Sequence, residues 1–216
     1  MDDNAFVGID LGTSYCCLAI FRQSKWEVVK LEDECNRMPS YVRFTDDDIL
    51  VGSDAKTHMF ENIGNTVFNI KRLLGRKKTD SNFYNQIEHL NYKVDTNMDK
   101  FKVLITKHNV ERKLSPEEIA ALLLMRMKYL AEEKLGKAIQ SLTISVPTSF
   151  YDSQRQATID AASIAGFTNV KLLNDTVAVT LKYMFEENNN LLSLIGIADS
   201  RLKKGHFCES DSPAFQ

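Results

Sequence analysis

An alternation of strands and helices in the second half of the sequence constrains the fold of this chain more than any other feature. Apolar runs, turn residues and capping residues predict strand, helix, strand and helix in turn, at residues 142–146, 152–166, 170–173 and 176–185. Pro147 closes the first strand, and Asp152 is predicted as the N-cap of the first helix. Strands that alternate with helices usually pack as a parallel sheet covered by helices, so the pattern predicts an α/β fold.

The first half predicts a meander of short strands before one long helix. Strands rich in β-branched and aromatic residues are predicted at residues 6–11, 15–21, 26–31, 41–44 and 101–106. Residues 55–74 have a mostly helical pattern. The long helix is predicted to begin after Ser115, because Ser115 and Glu118 form a capping box around Pro116. Gly136 is placed to end it.

The composition is that of a globular protein. Hydrophobic residues make up 44% of the 216 residues, and 27 basic residues against 29 acidic ones leave a net charge of -2. This balance argues against nucleic-acid binding, which needs a basic surface. The N-terminus does not resemble a signal peptide, and no apolar run approaches the roughly 20 residues that cross a bilayer. We therefore expect a soluble, cytoplasmic protein, with no membrane contact, whose cysteines are reduced.

The turn between the first two predicted strands is the first candidate site. There Asp10 is followed by Gly12, Thr13 and Ser14. Gly12 lets the backbone approach a ligand closely, and the N–H groups and hydroxyls of the turn can form a nest for phosphate. Asp10 could hold a hydrated Mg²⁺, an ion that keeps several waters. The alternative interpretation is a hairpin turn with a capping aspartate, and the turn alone leaves both open.

Lys71 is the second candidate. It is followed by Arg72 in a segment predicted as helix. A lysine directed into a phosphate site neutralises charge in phosphoryl transfer or positions a water. The alternative is a lysine on a solvated helix face.

Several stretches of the chain together resemble the ATPase domain of the seventy-kilodalton heat-shock chaperones of the DnaK type. They follow the family's order and separations: residues 8–15 (GIDLGTSY), 65–68 (NTVF), 71–76 (KRLLGR), 146–147 (VP) and 152–158 (DSQRQAT). Residues 36–37 and 39–42 fit as well. The resemblance extends from about residue 6 to about residue 185, and its most specific part is residues 152–158.

The resemblance implies an actin-like, ribonuclease-H-like ATPase fold, in which a mixed sheet is flanked by helices and ATP or ADP binds with Mg²⁺ between two lobes. Asp10 would hold a magnesium-bound water. Lys71 would orient the attacking water, and Pro147 and Arg155 would form the switch that couples nucleotide state to a substrate domain. The β- and γ-phosphates would be wrapped by Gly12, Thr13, Ser14 and Tyr15.

The sequence departs from the family pattern in three ways. Asp175 replaces the family's glutamate, and a threonine replaces the proline that follows it, so Asp175 would hold its magnesium-bound water differently. Asp199 follows a predicted strand at 191–198 and is expected as a further magnesium residue, but residues 200–205 (SRLKKG) lack the family's glycine cluster. The chain also stops where the second lobe should begin. We assign residues 1–188 to the first lobe and 189–216 to a divergent remnant of the second lobe with a loose tail.

These features predict a chaperone-like ATP-binding protein of the protein-folding machinery with weak or absent ATPase activity, because one wall of a cleft cannot place donors on both sides of the developing charge. Two alternatives stay open: a non-enzymatic module that binds co-chaperones or a full-length chaperone, and an inactive truncated product. We expect apolar residues to be exposed in the region of 177–197 and to favour self-association or a partner.

Overall fold

The computed structural model describes residues 6–22, 25–32, 35–80, 85, 87–97 and 100–187. Its strands are β1 (Phe6–Leu11), β2 (Tyr15–Arg22), β3 (Lys25–Val28), β4 (Met38–Pro39), β5 (Tyr41–Phe44), β6 (Ile49–Val51), β7 (Thr66–Phe68), β8 (Lys93–Asp95), β9 (Lys102–Lys107), β10 (Val110–Leu114), β11 (Ser141–Val146) and β12 (Asn169–Asn174). Its helices are α1 (Ser53–Thr57), α2 (Pro116–Leu135), α3 (Asp152–Ile164) and α4 (Asp175–Glu187).

The central sheet is mixed and has the strand order β12-β11-β1-β2-β3, with β4 paired to β2. β1, β11 and β12 are parallel, whereas β2 runs antiparallel to β1. Two smaller antiparallel sheets, β10-β9-β8 and β6-β5-β7, come from the middle of the chain. The predicted α/β fold with a mixed sheet flanked by helices is therefore confirmed.

The core lies against one face of the central sheet. Side chains alternate along β1 and β2, so that every second residue points inward to α2 and α3. These inward residues are almost fully buried and join the helices in one cluster, which includes Val7, Ile9, Leu11, Cys16, Leu18, Ile20, Leu123, Leu124, Met127 and Ala161. Full burial of each large aliphatic side chain stabilises the fold by about 1.5–3 kcal/mol. The opposite face carries α4 beside β11 and β12.

The prediction of a mostly helical segment over residues 55–74 is wrong for an α-helix. Only Ser53–Thr57 is α-helical there, and three 3-10 turns and the strand β7 follow. Asn69 has a left-handed backbone with φ of 56°, which interrupts a helix. β7 pairs with β5 at Val42 and Val67, so strand pairing with a distant segment decides the local structure over helical propensity.

The long helix α2 confirms its predicted signals. Ser115 accepts a hydrogen bond from the Glu118 N–H, Glu118 caps the Ser115 N–H in return, and Gly136 ends the helix with φ of 67°. In α3 the cap prediction is wrong by one position, because Tyr151 is the N-cap and Asp152 is the first helical residue.

The cysteine prediction is confirmed for two residues and wrong for a third. Cys16 and Cys17 carry free thiols, whereas Cys35 is disulfide-bonded. Among the helices of the described residues, none has the length and apolar character needed to cross a membrane.

Candidate functional site

Three of the predicted site residues meet at one edge of the central sheet, at the carboxyl ends of its parallel strands. Asp10 near the end of β1 is paired in register with Ser145 of β11. Val146, which precedes Pro147, is paired with Asn174, which precedes Asp175. In open α/β sheets, ligands bind outside the carboxyl ends of the strands. The fold therefore places these residues where the fold class binds its ligands.

Asp10 is exposed and held by one neighbouring strand. Its Oδ1 accepts a hydrogen bond from Ser145 Oγ at 2.8 Å. This bond orients the carboxylate and leaves it open to solvent. Sequence reasoning missed Ser145, because only the register between β1 and β11 places it opposite Asp10.

The turn after Asp10 is tight, and two hydrogen bonds from Ser40, which lies outside the turn, hold it in place. Ser40 Oγ donates a hydrogen bond to the Gly12 carbonyl at 2.9 Å, and the Ser40 N–H donates to the Ser14 carbonyl at 2.9 Å. A Cβ atom at Gly12 would collide with the Tyr15 carbonyl oxygen. Gly12 is therefore required by the turn itself, and the close approach of its backbone to a ligand stays a prediction. Sequence reasoning gave Ser40 no role.

Two cationic side chains contact Tyr15, the residue that follows this turn. Lys56 Nζ donates a hydrogen bond to Tyr15 Oη at 3.1 Å. The Arg37 guanidinium lies 4.3 Å from the centre of the Tyr15 ring, a cation–π distance. Positive charge next to backbone N–H groups favours an anion. Neither Lys56 nor Arg37 was predicted as a site residue.

Cys16 and Cys17, the two cysteines after the turn, have thiols of low reactivity. Burial raises the pKa of Cys16 to about 11, and contact with Ser40 offsets only part of that rise. Burial also raises the pKa of Cys17, and the nearby Asp10 carboxylate adds to the rise. Because the thiolate is the reactive form, neither thiol suits a nucleophile at neutral pH.

Lys71 is buried, which excludes the interpretation as a lysine on a solvated helix face. It lies in the 3-10 turn Ile70–Arg72 and is only 9% exposed. Its Nζ is 5.8 Å from the centre of the Phe150 ring. Within the described ranges, no hydrogen bond or ion pair is formed by the Lys71 ammonium. Such a group would gain from an anionic ligand, because burial of an unpaired charge is costly.

The structure brings Arg155 and Pro147 together. The Arg155 guanidinium donates to the Phe150 carbonyl at 3.1 Å and to the Pro147 carbonyl at 3.4 Å. Its Nη2 also donates to Asn174 Oδ1 at 2.9 Å. Arg155 thus ties the loop after β11 to the end of β12. Their role as a switch stays a prediction.

Asp175 begins α4, and its Oδ1 is buried without a hydrogen-bond partner in the part of the chain that the structure describes. A buried acceptor without a partner destabilises the fold by about 1–3 kcal/mol. A metal-bound water that donates a hydrogen bond to Asp175 Oδ1 could remove this penalty. The described residues hold no group of three His, Cys, Asp or Glu side chains that could bind a metal directly. Mg²⁺ keeps its waters and needs only one or two carboxylates, so Asp10 and Asp175 fit it. Asp199 lies outside the described residues.

The chain matches known proteins over most of its length. The family model described as Hsp70 protein matches residues 6–199. "Putative heat shock 70 kDa protein 7" of Homo sapiens is 40% identical over 177 residues, which are 82% of this chain and 48% of that protein. "Heat shock 70 kDa protein" of Neurospora crassa is 39% identical, and the protein of the same description from Trichophyton rubrum is 40% identical, each over 82% of this chain.

The chain spans less than half the length of each of these relatives: 48%, 27% and 27% in the same order. The family match nevertheless includes both the turn after Asp10 and the Arg155 region, where the site residues lie. The chain belongs to the Hsp70 protein family.

Proposed function

We propose that this chain is a chaperone-type ATP-binding protein that holds Mg²⁺–ATP or Mg²⁺–ADP at the carboxyl edge of its central sheet and hydrolyses ATP slowly. The observation that carries the proposal is the convergence of Asp10, the turn fastened by Ser40, and the unpartnered Asp175 oxygen at this edge. The family match supports nucleotide as the ligand.

Each residue has a role set by its chemistry. Asp10 and Asp175 would hold Mg²⁺ through its waters, with Asp199 as a further proposed partner. When bound, Mg²⁺ would neutralise the phosphate charge. The N–H groups and hydroxyls at residues 12–15 would bind the β- and γ-phosphates, and Lys56 and Arg37 add positive charge beside them.

Lys71 would orient the attacking water. Its burial beside Phe150 limits the positions its ammonium can take. The donors named above all belong to residues 12–71, and full stabilisation of the developing charge in phosphoryl transfer needs donors on every side of it. On that ground we propose slow turnover by this chain, and Pro147 and Arg155 as the elements that would respond to nucleotide.

Titration calorimetry with Mg²⁺–ATP tests the binding proposal. We expect a Kd in the micromolar range, about −8 kcal/mol of binding free energy, and at least a tenfold weaker Kd in Asp10→Ala. Asp47→Ala is the matched control, because Asp47 is an exposed aspartate in the turn between β5 and β6. Absence of heat at millimolar ATP in the unmodified chain would overturn the proposal.

Phosphate release tests the proposal of slow hydrolysis. We expect Lys71→Ala to change the low turnover little. The reason is that incomplete stabilisation of the developing charge, rather than the orientation of the water, would set the low rate. Robust turnover that Lys71→Ala abolishes would contradict this.

A non-enzymatic module that binds co-chaperones or a full-length chaperone is the second candidate. It is supported by the exposed apolar residues Val177, Leu181 and Met184 of α4, each 38–42% exposed. The calorimetry separates the two candidates, since only the first requires nucleotide.

The free thiols of Cys16 and Cys17 support a proposed cytoplasmic location, whereas the disulfide at Cys35 does not.

A further inference from the structure

A cavity of about 180 Å³ is lined by residues from four separate segments of the chain. Arg76 and Lys77 line it from one loop, and Lys100 lines it from the segment before β9. Pro116, the first residue of α2, and Ser153, in the first turn of α3, line it as well. Its described lining includes none of the residues assigned above to nucleotide binding. The cavity is therefore a separate place to look for a ligand.

Two of the cations that line the cavity are held opposite each other. Lys77 and Lys100 are partners in an isolated antiparallel bridge. The Cβ atoms of such partners lie about 4.5–5.5 Å apart, and like charges directly opposite each other are destabilising. In the part of the chain that the structure describes, neither ammonium forms an ion pair or a hydrogen bond. The backbone thus brings two positive charges together without a counterion from the described residues.

Arg76 adds a buried donor to the same cavity. Its Nε is buried and has no hydrogen-bond partner among the described residues. Its Nη1 lies 3.7 Å from Asp80 Oδ2, which is too long for a hydrogen bond. Because a buried donor without a partner is costly, a ligand that offers an acceptor oxygen to Arg76 would stabilise this arrangement.

The two helices that begin at the cavity increase its positive potential. The first turn of a helix has free N–H groups and a partial positive charge, which disfavour a nearby cation. Gly75 nevertheless packs the Arg76 loop directly on the start of α3, because a Cβ at Gly75 would collide with the backbone of Ser153 and Gln154. An anion between the loop and the helix would turn this unfavourable arrangement into a favourable one.

The carboxylates of the lining do not cancel this charge. They are Glu117 and Asp160, against the three cations Arg76, Lys77 and Lys100. Glu117 lies in the first turn of α2, where a carboxylate complements the positive end of the helix. Asp160 accepts a hydrogen bond from Gln156 Nε2 at 2.8 Å. The lining is therefore net positive even before the helix ends are considered, which favours an anionic ligand.

We propose that this cavity binds a phosphate group, whose oxygens accept hydrogen bonds from Lys77, Lys100 and Arg76. Phosphate suits these donors because it offers several charged acceptor oxygens, and both lysine and arginine bind it. The buried side chains of Leu73 and Phe101 supply an apolar part of the lining. The group can therefore belong to free phosphate or to a small phosphomonoester. The proposal is independent of nucleotide binding at the turn after Asp10.

A titration of the full chain with inorganic phosphate, followed by amide NMR at an ionic strength kept constant with chloride, tests the proposal. We expect saturable shifts of the amides of Lys77, Lys100 and Ser153. The Kd should be about tenfold weaker in Lys77→Gln and in Lys100→Gln, because each variant loses a charge-assisted contact. Lys78→Gln is the matched control and should keep the Kd, since Lys78 is an exposed neighbour of Lys77 outside the described lining.

Two results of this titration would overturn the proposal. The first is a set of shifts that do not saturate, or that are the same in the unmodified chain and all three variants, because general ion effects would then explain them. The second is a set of shifts confined to residues 12–15, because phosphate would then bind only at the proposed nucleotide site.

Urea unfolding without phosphate tests whether the two lysines serve a ligand or the fold. We expect Lys77→Gln and Lys100→Gln to be at least as stable as the unmodified chain, because each substitution removes one member of an unfavourable pair. A loss of stability in both variants would overturn the proposal, because the lysines would then support the fold.

The same NMR titration with phenyl phosphate identifies the source of the phosphate group. Tighter binding than that of inorganic phosphate, with a shift of the Phe101 amide, would identify a phosphomonoester whose organic part contacts the apolar lining. Equal or weaker binding would identify free phosphate as the ligand.

Discussion

Arg155 Nη2 donates a hydrogen bond to Asn174 Oδ1 at 2.9 Å, and this bond joins α3 to the residue immediately before Asp175. The same guanidinium bonds the carbonyls of Pro147 and Phe150. One side chain therefore connects the loop after β11, the end of β12 and the start of α4. Asp175, the first residue of α4, follows Asn174 directly in the chain.

Removal of the Arg155 side chain should destabilise this edge of the fold. We expect Arg155→Ala to lower the free energy of unfolding by about 2 kcal/mol, since hydrogen bonds from a charged donor contribute roughly 1.5–3 kcal/mol. The next residue, Gln156, bonds only Asp160 at an exposed position, so Gln156→Ala should cost less than about 0.5 kcal/mol. Urea unfolding measures both. Equal losses in the two variants would show that Arg155 does not hold the edge together.

Substitution of Gly12 should distort the turn. We expect Gly12→Ala to lower the free energy of unfolding by about 1–3 kcal/mol, because the new Cβ meets the Tyr15 carbonyl oxygen and the backbone has to move. It should also weaken Mg²⁺–ATP binding if the turn binds phosphate. Gly64→Ala is the control, since a Cβ there approaches only Asn62 Oδ1 at 3.9 Å. Unfolding curves that coincide for Gly12→Ala and the unmodified chain would contradict the prediction.

The raised pKa of Cys16 predicts that the free energy of unfolding falls at alkaline pH. Burial raises its pKa from the ordinary value of 9.0 to about 11 in the fold. Its stabilising contribution is thus fully present below pH 9 and is lost as the pH rises through 11, because the unfolded state then releases a proton that the folded state keeps. The loss is on the order of 2–3 kcal/mol.

Urea unfolding in reducing buffer at pH 8, 9, 10 and 11 measures this dependence. Cys16→Ala is the comparison, and its stability should fall less steeply between pH 9 and 10. Tyr92, whose pKa is also raised by burial, contributes at higher pH in both proteins. Parallel pH profiles for the two proteins would rule out Cys16 as the source.

Local signals in the sequence predicted much of the fold. The capping box at Ser115 and the stop at Gly136 hold in α2, because these bonds form within one turn of helix. β1 and β5 have the predicted bounds, since alternating apolar residues define a half-buried strand wherever it lies. The helical prediction for residues 55–74 failed, because the strand β7 in that segment forms by pairing with the distant strand β5. The lobe boundaries at 188 and 189 stay a prediction.

By itself, the sequence determined the family, the α/β class and the turn after Asp10, because these depend on residues that are neighbours along the chain. Only the tertiary structure decided that Lys71 is buried beside Phe150 and that Ser145 and Ser40 hold Asp10 and Gly12 in place. It also joined Arg155 to Asn174. The physical reason is that each of these contacts joins segments far apart in the chain, through strand register or side-chain packing that no local pattern encodes.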